Sequence, residues 1–139
     1  MKKLPKPTDS ELEILQVLWE NSPRTVREVN DILSKKRETG YTTTLKLMQI
    51  MFEKGLVSRE KKGKTHIYSA EVGENDIQEE LLDRFIDKVF KGSASKLMLQ
   101  ALGRKKSSPE ELKEIQELLK NFEKDNNNES FESNSDESN

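Results

Sequence analysis

Apolar residues recur at helical spacing in six stretches of this chain, and in one place they alternate as strands do. Leu12, Leu15, Leu18 and Trp19, with Ile14 beside them, line one face of a first helix. Thr8-Asp9-Ser10-Glu11 opens that helix as a capping box, and Asn21-Ser22-Pro23 ends it. Thr25-Val26-Arg27-Glu28 is a second capping box, after which Val26, Val29, Ile32 and Leu33 carry a second helix toward Lys35-Lys36-Arg37. Gly40 and Gly55 then bracket fourteen residues without a breaker, which predicts one helix with a glycine stop. At 100° per residue, Tyr41, Thr44, Leu45, Met48, Met51 and Phe52 share one side of it, and Thr42, Thr43, Lys46, Gln49, Ile50 and Glu53 the other. Leu56-Val57-Ser58-Arg59-Glu60 and Thr65-His66-Ile67-Tyr68-Ser69 read as two short strands around Lys61-Lys62-Gly63-Lys64. Their cross-strand register is left open by the pattern.

Val72-Gly73-Glu74-Asn75 makes a short hinge, with Asn75 or Asp76 placed to cap the next helix. Ile77, Leu81, Phe85, Ile86 and Val89 form a stripe on that helix, which ends at Lys91-Gly92. Leu97, Met98, Leu99 and Leu102 carry another short helix over residues 95–102, stopped by Gly103. Ser108-Pro109-Glu110-Glu111 then starts a helix whose apolar side is Leu112, Ile115, Leu118, Leu119 and Phe122. Three amphipathic helices of this size expose more apolar surface than one copy can cover. A two-fold dimerisation domain built on Ile77, Leu81, Phe85, Val89, Leu97, Leu112, Ile115 and Leu119 is one solution; helices folded back on the first half of a monomer are the other. Short specific sites read by a single winged helix favour the dimer.

The expected architecture is mainly α with a small β-hairpin: a winged helix-turn-helix over residues 1–72, a helical dimerisation domain over 73–124 and an acidic, disordered tail over 125–139. The polar side of the Tyr41 helix carries hydroxyls, a lysine and an amide with little acid, so it can enter a DNA major groove unobstructed. Candidate DNA contacts are Tyr41, Thr42, Thr43, Lys46 and Gln49 on that helix, Arg24 and Arg27 at the start of the second helix, and Arg59, Lys61, Lys62, Lys64 and His66 on the hairpin. Hairpin lysines also keep a surface soluble and block edge pairing, and the two arginines also read as solvated side chains.

Charge changes the picture through its distribution. The net charge is −2, yet residues 1–72 hold 14 Lys and Arg against 10 Asp and Glu, residues 73–124 hold 10 against 11, and residues 125–139 hold none against 5. The basic surplus lies with the helix-and-hairpin segment. The acidic tail could compete for that basic face, or simply aid solubility. With no cysteine and a single histidine, His66, disulfides, thiolate metal sites and the usual acid-base constellations are not expected, and no Gly-rich phosphate loop appears. The chain reads as a non-enzyme without cofactor or metal. Met1-Lys2-Lys3-Leu4-Pro5 is followed by no apolar run and no segment reaches membrane-span length, so direct membrane insertion is not expected and the cytoplasm is the expected location.

Residues 8–19, Thr25-Val26-Arg27-Glu28-Val29, Tyr41-Thr42-Thr43-Thr44-Leu45 and Glu53-Lys54-Gly55-Leu56-Val57 together resemble the penicillinase-repressor (BlaI/MecI) family of winged-helix transcriptional repressors, in order and spacing over roughly residues 5–122. The resemblance implies a homodimer on a palindromic double-stranded DNA operator, with the Tyr41 helix in the major groove and the hairpin as wing. It places Thr42, Thr43 and Lys46 at base edges and neighbouring phosphates. Ile50 stands where the family often has arginine, a departure that bears on base preference. Family repressors of β-lactam resistance are inactivated by cleavage at an Asn-Phe bond in the dimerisation domain. The matching position here is Gln100-Ala101, so that inducing signal and its protease do not carry over. What the resemblance leaves as an expectation is release by a sensor protease or another signal acting on that domain. The cysteine cluster of copper-responsive relatives is absent. The competing reading is a winged-helix protein-interaction module that binds no DNA.

Overall fold

The computed structural model describes residues 4–104 and 108–121. Helices α1 (Asp9–Glu20), α2 (Val26–Ser34) and α3 (Tyr41–Lys54) precede strands β1 (Val57–Lys62) and β2 (Thr65–Ala70). Helices α4 (Glu74–Phe90), α5 (Ala94–Arg104) and α6 (109–121) complete the order. The chain divides into two units, Met1–Gly92 and Ser93–Asn139.

Both N-terminal helices begin where the sequence supplies paired caps. The Thr8 hydroxyl accepts from the Glu11 N–H at 3.2 Å while the Glu11 carboxylate accepts from the Thr8 N–H at 2.9 Å. Thr25 and Glu28 repeat the arrangement at α2, each bond 3.1 Å. α3 ends at Gly55, whose φ of 84° is open to glycine and strained for other residues. The Leu56 N–H then folds back to the Met51 carbonyl at 2.9 Å, turning the chain into β1.

These elements close over one core. Ile14, Leu15 and Leu18 of α1, Val29 of α2, and Met48 and Met51 of α3 meet Leu56, Val57 and Tyr68 of the hairpin arm, all nearly inaccessible. Removing each such side chain from water contributes about 1.5–3 kcal/mol, which is what holds three short helices together. Val72 and Ile77 seal the same core, and the Trp19 indole N–H donates to the Val72 carbonyl at 2.9 Å.

β1 and β2 pair antiparallel, with Arg59 opposite Tyr68, Lys61 opposite His66 and Lys62 opposite Thr65. The strands therefore run further than the alternation suggests, placing Lys61 and Lys62 in β1 and leaving Gly63-Lys64 as the turn. Beyond the hairpin, Arg24 and Tyr68 exchange backbone hydrogen bonds at 2.9 and 2.8 Å, joining the entrance of α2 to β2.

Two expected helix boundaries differ. α4 is capped at Gly73 without a side-chain bond, rather than by Asn75 or Asp76, because the helix already starts at Glu74 and takes both residues into its first turn. α5 continues through Gly103 to Arg104; a glycine ends a helix only where it turns left-handed, and Gly103 has no positive φ. At α6 the Ser108 hydroxyl accepts from the Glu111 N–H at 3.1 Å, as the cap pattern requires. Phe122 and the acidic segment 125–139 lie outside the described residues. Among the described residues no helix is long and apolar enough to cross a membrane.

One ion pair ties the far end of α3 to the start of α1. Glu11 is 2% exposed and accepts from Lys54 Nζ at 2.6 Å, while Lys54 also donates to the Lys6 carbonyl at 3.1 Å. Burial pushes the Glu11 carboxyl up, but the Lys54 ammonium and the Thr8 donors outweigh it and hold the group below the ordinary carboxylate range. A depressed folded-state pKa gives stability that is full above the unfolded value and lost as pH falls through the folded one. Glu11→Gln is therefore expected to cost about 1–3 kcal/mol near neutral pH. The gap to the wild type should narrow in acid, below the range where the native carboxylate titrates. Denaturant unfolding of both chains at pH 7 and pH 3 checks this, and an equal gap at the two pH values would refute it.

Candidate nucleic-acid interface

α3 is the element on which the candidate site is built, and its orientation is set by what it buries. Thr44, Met48 and Met51 face the core. The Thr44 hydroxyl donates to Asn30 Oδ1 of α2 at 2.8 Å, with the Gly40 carbonyl at 3.4 Å as its alternative acceptor. That bond fixes the rotation of α3 against α2. Once it is fixed, Thr42, Thr43, Lys46 and Gln49 are all exposed on the opposite side, with Ile50 and Glu53 continuing the ridge. A protruding helix with short polar side chains is the shape that a major groove about 12 Å wide admits.

Tyr41 departs from the apolar face to which its spacing assigns it. It is 40% exposed, and Arg27 of α2 lies over its ring with Cζ 4.9 Å from the centroid. Phe52 does the same at the other end of α3, 37% exposed under the Arg59 guanidinium at 4.0 Å. The Phe52–Arg59 contact is invisible to periodicity, because nothing in the local pattern couples a helix residue to a strand residue across a glycine turn.

The hairpin sorts its cations by face. Residues directly opposite in the ladder share a side, so Arg59, Lys61, His66 and Tyr68 lie on one face while Lys62 and Thr65 lie on the other. The His66 and Tyr68 rings meet edge-on at 6.4 Å. A cleft of about 630 Å³ runs between the start of α2, α3 and the hairpin; Arg27, Arg59, Lys64 and His66 line it together with Gln49 and Tyr41, and no acid does. Such a surface attracts polyanions at a distance and holds them at contact.

Arg24 stands apart from this group. Its Nε donates to the Asn21 carbonyl at 3.0 Å and its guanidinium lies 3.6 Å from Glu28, so the side chain is turned back onto its own helix entrance. Glu28 is itself held below the ordinary carboxylate range by the Thr25 N–H and hydroxyl. The residues expected to form a dimer face are also not equivalent. Ile77 is buried in the first unit's core and Leu81 packs partly against it, whereas Phe85 and Val89 are 48% and 54% exposed. In the second unit Leu97 and Ile115 are half-buried, and Leu112 and Leu119 are exposed. Among the described residues no cluster of His, Asp or Glu could hold a metal ion.

Residues 7–121 match the family model described as penicillinase repressor. The penicillinase repressor of Bacillus licheniformis is 29% identical over 119 residues, covering 86% of this chain and 93% of that one. The methicillin resistance regulatory protein MecI of Mammaliicoccus sciuri is 25% identical over 81% of this chain and 91% of its own. Among solved structures, that of the monomeric form of BlaI from Bacillus licheniformis in complex with the blaP half-operator is 32% identical. It covers 55% of this chain and 93% of that one, with a TM-score of 0.47.

The Thr44–Asn30 bond yields a direct test of how the ridge is held. Thr44→Val keeps the shape but removes the only side-chain donor joining α2 to α3 among the described residues. The expected loss is about 1–2 kcal/mol, read as a lower denaturation midpoint with an unchanged slope. A midpoint equal to that of the wild type would show that packing alone orients α3.

Proposed function

The chain belongs to the penicillinase repressor family, whose members are transcriptional repressors, and from that premise we propose that it represses transcription as a homodimer bound to a two-fold symmetric DNA operator. The observation that carries this reading is the polar ridge of Thr42, Thr43, Lys46 and Gln49 on α3, exposed beside a cationic cleft that contains no acid. In this reading Thr42, Thr43, Lys46 and Gln49 meet base edges and the phosphates beside them. Arg27, Arg59, Lys61, Lys64 and His66 grip the backbone from one side, and Lys62 adds a contact from the outer face of the wing. Arg24 acts through the fold, holding the entrance of α2. Acting on chromosomal DNA, the protein works in the cytoplasm, and no chemical step is asked of it.

The dimer is supported by apolar surface left without cover. α4 leaves Leu82, Phe85 and Val89 about half exposed, and among the described residues α5 and α6 bury none completely. A second copy of the same helices is the partner of matching chemistry, and two readers joined this way span successive turns of a duplex. A signal that parts the second unit from the reader abolishes two-site binding without touching α3. The Gln100–Ala101 bond lies inside α5, so a protease acting there requires that helix to open first.

Selection of bound duplexes from a random pool, followed by sizing of the complex, tests the proposal as a whole. The expected product is an inverted repeat holding two chains; an unselected pool, or one chain per site, would refute it. Lys62→Ala or Lys64→Ala is expected to weaken binding to all sequences alike and to reduce the salt slope by about one per lost contact. Thr43→Ala or Lys46→Ala changes base preference as well. Leu119→Asp, placed in the second unit, is expected to give a monomer in sedimentation and about a hundredfold weaker operator binding.

A further inference from the structure

Five arginines have described side-chain surroundings in the first unit, and they divide into two kinds. Arg24, Arg37 and Arg84 each pair with a glutamate. Arg27 and Arg59 form no ion pair among the described residues and lie instead over aromatic rings, 4.9 and 4.0 Å from the centroids of Tyr41 and Phe52. Both arginines line the cleft that contains no acid.

The two rings have a defined relation on α3. They are eleven positions apart, which is three helical turns plus a small rotation, so they occupy the same flank about 16 Å apart along the axis. That flank adjoins the exposed ridge, since Gln49 lies between it and Lys46 around the helix. Two-fifths exposure leaves each ring face open enough to carry a guanidinium and covered enough to stay in place.

A guanidinium lying on a ring has one planar surface occupied and its N–H edges free. Those edges form the fork that meets two oxygens of a phosphate at once. An unsupported arginine must give up many rotamers on gripping an anion, whereas a stacked one has given them up beforehand. The ring adds its own electrostatic attraction for the cation, and that attraction is stronger where water is displaced, as it is beneath a bound duplex.

We infer that Phe52 and Tyr41 are positioning residues whose rings hold Arg59 and Arg27 as two preformed receptors for DNA backbone phosphates, one at each end of the same flank of the recognition helix. The inference rests on the reading of α3 as the DNA-contacting helix. It assigns Phe52, an apolar side chain with no polar atom of its own, a part in binding through Arg59. The recognition helix is thereby held at a set depth and inclination by contacts made outside its base-reading ridge.

A double-mutant cycle on the full chain tests this, with a random-sequence duplex titrated at several salt concentrations. Arg59→Ala is expected to weaken binding about tenfold and to lower the salt slope by about one. Phe52→Leu, which keeps apolar bulk but removes the ring, is expected to weaken it about three- to fivefold on every sequence. The double variant should match Arg59→Ala alone, because a ring without its arginine has nothing to position. Phe52→Trp, which keeps a ring face, should stay within about twofold of the wild type. If Phe52→Leu costs as much in the Arg59→Ala background as in the wild type, the inference is overturned. Arg59→Lys gives an answer without altering the ring: wild-type affinity there would show that charge suffices and stacking is idle. A wild-type chain that fails to bind any duplex removes the DNA reading as well. Loss of base preference in Lys46→Ala with no coupling between positions 52 and 59 removes only the positioning role.

Discussion

The pair of backbone hydrogen bonds between Arg24 and Tyr68 is the constraint on which the first unit turns. A helix-turn-helix and a two-stranded hairpin are each too small to persist alone in water. The bridge makes the residues just before α2 a short third edge of the hairpin, and Tyr68, 1% exposed, fills the space beneath it. With the hairpin fixed against α2 and α3 fixed against both by Met48, Met51 and the Thr44 hydroxyl, the three elements enclose a cleft instead of sliding past one another. The placement of Arg27, Arg59, Lys64 and His66 around that cleft stems from the bridge as much as from the residues themselves. It also explains Arg24: a residue whose backbone is part of the frame has its side chain folded toward Asn21 and Glu28.

The features legible in the sequence are those the chain settles within a few residues. Both N-terminal capping boxes and the left-handed stop at Gly55 depend on neighbours at most four positions away, and they stand in the structure as the pattern implies. The amphipathic split of α3 stands for Thr44, Met48 and Met51 but not for the exposed Tyr41 and Phe52. The features that escape it join distant positions. Glu11 meets Lys54 across 43 residues, Arg27 meets Tyr41 across two helices, and Arg59 reaches Phe52 back over a turn. No periodicity encodes such meetings, because they exist only once the core has brought the elements together. Phe52 shows the limit well. Its spacing assigns it to the apolar face, but only packing decides that the buried part of the face stops short of it and that a guanidinium covers the ring instead. Gly103 errs the other way: a residue type that often stops a helix here sits within one.

The two units are stabilised by different means. The first has a closed core, an interlocked cap and ion pair, and a tryptophan tied to a main-chain carbonyl. The second, in its described helices, keeps an apolar cleft of about 270 Å³ lined by Met98, Ala101, Leu102, Ile115, Leu118 and Leu119, with Leu99 at 74% exposure beside it. Side chains of that kind gain little while water remains on one side of them. The order of such a unit depends on what covers those side chains, whereas the first unit carries its own closed core.

Trp19 is the sole tryptophan of the chain, and its indole N–H rests on the carbonyl of Val72, two residues before the start of α4. The chain thus carries an intrinsic fluorophore inside the first unit, at the junction of α1 with the residues that lead into α4. Any movement that draws α4 away from α1 breaks that hydrogen bond and wets the ring, shifting its emission to longer wavelength. Loosening of that junction can therefore be followed optically, in the unlabelled protein.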